Sequence, residues 1–116
     1  MRAFLAILIA LPAAADPAEI LSAEATPGVE GWRFDVTLRH ADTGWDDYAD
    51  GWRVEAEDGT VLATRELLHP HVTEQPFTRS LGGVTLPEGT TEVWIAASTN
   101  VGGWEGGRLM LALPAE

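Results

Sequence analysis

The feature that most constrains the fold of this chain is a strict alternation of apolar and polar residues over positions 32–39. Four large apolar side chains occupy every second position there: Trp32, Phe34, Val36 and Leu38. Successive side chains of a β-strand point to opposite faces, so this segment predicts a strand with one core face and one polar face. No segment after residue 15 shows sustained helical spacing, and the pattern favours an all-β fold.

Turn signals divide the rest of the chain into further short strands. The seven predicted strands cover residues 19–26, 32–39, 52–57, 60–68, 77–86, 91–98 and 108–113. The Asp58-Gly59 pair predicts a hairpin turn, and Gly82-Gly83 predicts a bulge. About seven short strands at regular spacing are typical of an immunoglobulin-like or fibronectin-like β-sandwich, with a small closed β-barrel as the alternative.

The first fifteen residues have the composition of a cleavable signal peptide. Arg2 precedes a short apolar run, and three alanines close the segment at 13–15, with cleavage expected after Ala15. Pro12 interrupts the run, which is also shorter than the roughly 20 residues that a membrane span needs. We therefore expect a periplasmic or secreted protein, with 16–116 as a single domain that has no membrane association after cleavage.

Charge and composition exclude several classes of function. The formal net charge is −11 and the chain has no Lys, which opposes binding to nucleic acids or anionic membranes. There is no Cys, so thiol catalysis and thiolate metal sites are excluded within this sequence. The common hydrolase and nucleotide-binding motifs are missing, and a hydrolytic site built from Ser80 or Ser98 with a His has no motif to support it. We expect a protein that is not an enzyme.

All three histidines lie in or beside predicted loops. His69 and His71 flank a proline, and residues two apart in an extended segment project to the same side. His40 continues the apolar face of the 32–39 strand, with Asp42 on the same side. The sequence therefore predicts a copper or zinc site made of His40, His69 and His71, with Asp42 or Glu74 as a fourth ligand.

An alternative function rests on loop tryptophans and an acidic loop. Trp45 and Trp104 lie beside glycines in predicted loops, and exposed Trp is a common means of contacting proteins and glycans. Asp46 and Asp47 follow Trp45 directly. These four residues predict a non-catalytic interaction module that binds a protein or glycan partner, unless both tryptophans fold back over the ends of the sandwich.

Two segments of the sequence carry a resemblance to other proteins. One is His40-Ala41-Asp42-Thr43-Gly44-Trp45 with Tyr48-Ala49-Asp50-Gly51-Trp52, and the other runs from Leu68-His69-Pro70-His71 through Glu74-Gln75-Pro76-Phe77-Thr78-Arg79. Together they resemble a group of small exported bacterial proteins of uncharacterised function, over most of the chain from Val36 to about Gly103. The resemblance implies an exported location and a single domain, and it implies no activity.

Overall fold

The computed structural model describes residues 16–115, whose regular secondary structure is entirely β. The strands are β1 (Glu19–Thr26), β2 (Trp32–Arg39), β3 (Ala49–Glu55), β4 (Val61–Glu66), β5 (Phe77–Val84), β6 (Glu92–Thr99) and β7 (Leu109–Ala112). Within residues 16–115 there is no helix with the length and apolar character needed to cross a bilayer. The signal peptide predicted over 1–15 lies outside the described residues.

The strands form two antiparallel sheets, one in the order β1-β2-β5 and the other in the order β4-β3-β6-β7. The sheets pack against each other and neither closes into a barrel, so the predicted β-sandwich is confirmed. The fourth strand pairs with β3. In a constant-type immunoglobulin domain the fourth strand instead joins the sheet of the first two, so this sandwich differs from that type in its edge strand.

The core lies between the sheets and comes mainly from the strands at their centres. The largest fully buried side chains are Trp52, Phe34, Leu38, Ile95, Val36, Val54 and Val93, all from β2, β3 and β6. Each such side chain contributes roughly 1.5–3 kcal/mol relative to an exposed one. The apolar face of β2 therefore points into the core, as the alternation predicts. The same alternation determines which side of the strand the residues that follow it occupy.

A bulge in β5 confirms a second prediction from the sequence. Gly82 and Gly83 together lie opposite the single residue Arg33 of β2. Gly83 has a φ of 66°, in the left-handed region that favours glycine. Gly31 lies against the same part of β5 and has a φ of 119°. A Cβ atom on Gly31 would lie 2.8 Å from the carbonyl oxygen of Val84. Only glycine fits this close approach of two chain segments.

Three loops gather at one end of the sandwich: residues 40–48, 67–76 and 100–108. Strand pairing brings the end of β2 beside the start of β5, and the start of β3 beside the ends of β4 and β6. We call this end the loop pole. The first loop is shorter than predicted, because β3 begins at Ala49 and the predicted strand begins only at residue 52. All three histidines lie at the loop pole, and so do the acidic residues Asp46 and Asp47.

Candidate functional site: the loop pole

His40 is buried at the end of the core face of β2, as its place in the alternation predicts. Its Nδ1 lies 2.6 Å from Oδ1 of Asp42, and its Nε2 lies 3.0 Å from the carbonyl oxygen of Asp16. An oxygen of Asp47 is 3.7 Å from the same Nε2. Both ring nitrogens are thus engaged with oxygen atoms of the protein, and neither is free to bind a metal ion.

Asp42 is also buried, and its carboxylate joins three chain segments. Oδ1 accepts from the His40 ring and, at 3.0 Å, from the backbone N–H of Ala49. Oδ2 accepts from the backbone N–H of His71 at 2.8 Å. These bonds tie the end of β2 and the start of β3 to the loop between β4 and β5. The two histidine-bearing loops therefore meet, but they meet through Asp42 rather than through their imidazoles.

Gln75 reinforces this junction through the main chain. Its Oε1 accepts from the backbone N–H of His40 and its Nε2 donates to the carbonyl oxygen of His71, both at 3.0 Å. Gln75 therefore holds the backbones of two loops together. Glu74 is exposed and accepts from Arg79 at 3.2 Å.

His69 and His71 bring their rings together, with centroids 4.6 Å apart and planes tilted by 40°. Their surroundings differ, because His69 is exposed whereas His71 is 6% exposed and stacks on Phe77 at 4.0 Å. Nε2 of His71 lies 2.8 Å from a terminal nitrogen of Arg79. A guanidinium can only donate, so this ring nitrogen accepts. Nδ1 of His71 is buried without a hydrogen-bond partner.

These surroundings lower the pKa of His71 below its ordinary value of 6.5. The largest cause is burial, which disfavours the charged ring, followed by the positive charges of Arg79 and His69. Glu74 and Asp42 oppose the shift without reversing it. Burial and the Arg79 charge therefore favour the neutral form of the His71 imidazole.

The five predicted metal ligands are close along the loop pole but are not arranged as one centre. Among the residues that the structure describes, no three or more His, Asp or Glu side chains form a group able to hold a metal ion. His40 and Asp42 are occupied by each other, and Glu74 pairs with Arg79. Copper or zinc binding stays a prediction of the sequence.

Trp45 is the most exposed aromatic side chain of the loop pole, with 65% of its surface accessible. The Tyr48 ring packs edge-on against it at 5.5 Å. The side chain of Asn100 donates to the carbonyl oxygen of Trp45 at 3.0 Å and accepts from the backbone N–H of Tyr48 at 2.8 Å. The sequence reasoning missed Tyr48 and Asn100, because nothing in the pattern places a loop between β6 and β7 against the loop after β2.

The two acidic residues after Trp45 behave differently from each other. Asp46 is exposed. Asp47 closes a turn, in which the backbone N–H of Thr43 donates to its carbonyl oxygen at 2.9 Å. Its carboxylate is partly buried and one oxygen has no hydrogen-bond partner. The solvent-facing charge next to Trp45 therefore comes from Asp46.

Trp104 is not part of this exposed surface. It lies half-buried on the outer face of the four-stranded sheet, where the Arg53 guanidinium stacks 4.1 Å from its ring. Glu55 is buried beneath and binds both Arg53 at 2.5 Å and Arg108 at 3.0 Å. Arg108 in turn stacks over Trp94 at 4.8 Å. These stacked tryptophan rings and ion pairs cover part of the outer face of the sheet. Trp104 therefore packs against the sheet.

Neither serine considered for hydrolysis contacts a histidine. The Ser80 hydroxyl donates to Asp35 and the Ser98 hydroxyl donates to Asp50.

Comparison with known proteins gives one similarity over most of the chain. The chain is 49% identical over 78 residues, or 67% of its length, to a protein of Halomicrobium mukohataei named "Putative lipoprotein". The chain spans 37% of the length of that relative. No family model matches the chain, and no solved structure matches it.

Proposed function

We propose that this chain is an exported, non-catalytic interaction module that binds a protein partner through Trp45 and its surroundings. Two observations support the export part of the proposal. Residues 1–15 have the pattern of a signal peptide, and the relative from Halomicrobium mukohataei is named as a lipoprotein, a class of cell-envelope protein.

The exposure of Trp45 on a fixed loop is the observation that carries the binding part. Trp and Tyr dominate the energetics of protein interfaces because they bury large areas at a low cost in side-chain entropy. The backbone carbonyl of Trp45 and the backbone amide of Tyr48 are both held by Asn100. A loop that is already ordered loses less entropy on binding, which favours a specific complex.

The charge of the molecule favours a partner with a basic surface. Asp46 is exposed beside Trp45, and the whole chain carries a formal net charge of −11. Such a field accelerates encounter with basic proteins and opposes acidic ones. A neutral glycan would gain nothing from this field, so we favour the protein partner over the glycan.

The test compares the wild-type chain with Trp45→Ala and with Trp104→Ala as the matched control. All three chains are used to capture proteins from an envelope extract, and each captured protein is then purified and its affinity for each chain measured. We expect a basic partner whose binding weakens at least about 30-fold in Trp45→Ala, as for a hot-spot loss of about 2 kcal/mol or more. Equal binding by Trp45→Ala, or binding only to a glycan array, would overturn the proposal.

Metal binding by His69 and His71 is the second proposal, favoured by the contact between their rings. The positive charge of Arg79 beside them opposes it. Calorimetric titration of the full chain with copper(II) and zinc tests it. Micromolar binding lost in His69→Ala and His71→Ala would support this proposal, whereas equal binding by these variants and the wild type would exclude these ligands.

A further inference from the structure

A small cavity of about 90 Å³ opens at the loop pole between β4, β5 and the loop that joins them. It is lined by Arg65, Leu67, Leu68, His69, His71 and Arg79. Four of these six side chains carry nitrogen donors and none carries a carboxylate. In a chain with a formal net charge of −11, this concentration of basic groups is unexpected.

Arg65 has an uncompensated charge at this cavity. Of the arginines in the described part of the chain, it alone has no carboxylate within 4.0 Å; the others pair with Asp35, Glu19, Glu55 or Glu74. Its guanidinium is nevertheless held in place, because Nε donates to the carbonyl oxygen of Ser80 at 2.9 Å and a terminal nitrogen donates to that of Glu66. It presents a fixed positive charge that has no carboxylate partner among residues 16–115.

His71 also lines the cavity, and one of its ring nitrogens has no hydrogen-bond partner. Its Nε2 accepts from Arg79, so in the neutral ring the proton is on Nδ1. That Nδ1 is buried and has no acceptor. Buried donors in folded proteins are almost always satisfied, and this one has no acceptor among the described residues.

We propose that this cavity binds the carboxylate group of an organic ligand, held by Arg65 and Arg79 beside the His71 ring. A guanidinium matches the two oxygens of a carboxylate in a planar, bidentate geometry. Leu67 and Leu68 supply an apolar wall for the carbon atom that bears the group. A volume of about 90 Å³ accommodates the head of such a ligand and leaves the remainder outside.

A carboxylate is favoured over phosphate for two reasons. The apolar wall suits a group attached to carbon, and a monoanion is repelled less than a dianion by the net negative charge of the chain. Glu74 pairs with Arg79 at the surface, but its contact is a single hydrogen bond of 3.2 Å from an exposed carboxylate, which a ligand can displace. Trp45 does not line this cavity, so carboxylate binding here is independent of the proposed protein partner.

The experiment titrates the full chain with sodium acetate at constant ionic strength while the side-chain Nε–H signals of the arginines are followed by nuclear magnetic resonance. We expect saturable shifts of Arg65 and Arg79 with a dissociation constant on the order of 1 mM, a weak value suited to a fragment. Arg65→Gln should weaken binding at least about 10-fold. Arg39→Gln is the matched control, because Arg39 is paired with Glu19 and does not line the cavity.

Arg65→Lys is a second variant, included in case Arg65→Gln does not fold. It keeps a hydrogen-bond donor and a positive charge but lacks the planar, bidentate guanidinium. It should weaken acetate binding several-fold while retaining the wild-type unfolding midpoint. A C-terminal tripeptide and its amide then distinguish a peptide terminus from a free small acid as the source of the carboxylate. Shifts that rise linearly without saturation, equal affinity in Arg65→Gln, or binding of inorganic phosphate without acetate would overturn the proposal.

Discussion

His40 and His71 are both buried at the loop pole and both hydrogen-bond to Asp42, yet their rings have opposite surroundings. The His40 ring lies between oxygen atoms of Asp42 and Asp16. The His71 ring lies beside the guanidinium of Arg79 and has no partner at Nδ1. Both nitrogens of the His40 ring are therefore used in contacts within the fold. His71, in contrast, lines a cavity together with arginine side chains.

This difference shows that proximity of histidines does not by itself define a metal site. The residues that contact each ring decide its chemistry: oxygen atoms hold the His40 ring inside the fold, while arginine favours an anion beside His71.

The largest effect is expected at Asp42, which belongs to both histidine environments. Asp42→Ala removes acceptors from the His40 ring and from the backbone N–H groups of Ala49 and His71. Each buried donor left without an acceptor costs about 1–3 kcal/mol, so the loss at three donors should lower the Tm of a domain of this size by more than about 10 °C. Urea and thermal unfolding measure the change.

Asp46→Ala is the control for this variant, because Asp46 is exposed in the same loop and should change stability by less than about 0.5 kcal/mol. Similar losses in the two variants would show that the buried junction at Asp42 does not hold the loops together.

A smaller effect is expected when the two members of the His69-Pro70-His71 segment are compared. His71→Ala removes a buried ring that stacks on Phe77 at 4.0 Å and accepts from Arg79, so it should cost about 1–3 kcal/mol. His69→Ala removes an exposed ring and should cost less than about 0.5 kcal/mol. Chemical unfolding of both variants checks the difference, and equal losses would contradict the environment assigned to each ring.

The fold was largely predictable because it depends on local patterns. Alternation in β2 determines which side chains enter the core, and the bulge follows from Gly82-Gly83. The same parity correctly predicted that His40 and Asp42 would share the core side of the chain. These inferences need only the geometry of one strand.

The chemistry of the loop pole was less predictable, because it depends on contacts between distant segments. Nothing in the sequence indicates that Arg79 approaches His71 or that Arg65 forms no ion pair with the carboxylates of residues 16–115. The role of Asn100 requires the pairing of β3 with β6, which brings two loops together. Trp104 resembles Trp45 in its loop context, and only tertiary packing distinguishes the stacked ring from the exposed one.

The smallest effect concerns pH and tests the positive surroundings of His71. Because the pKa of His71 is lowered from 6.5 in the folded state, the unfolded chain takes up a proton at a higher pH than the folded chain does. Stability is therefore lost as the pH falls below about 6.5, with a contribution from this group of at most about 1.4 kcal/mol per pH unit. Urea unfolding of the wild type and of His71→Gln at pH 8, 7, 6 and 5 isolates the contribution.

The stability difference between the two chains should be constant at pH 8 and 7 and should then shrink at pH 6 and 5, because only the wild type has this imidazole. A difference that stayed constant throughout would mean that the folded chain accepts the proton as readily as the unfolded chain. A difference that widened in acid would mean that the His71 ring gains a negative partner in the folded chain. Either result would contradict the difference described between the two histidines. A shrinking difference would instead support a pKa of His71 that is lowered by its burial and by the charges of Arg79 and His69.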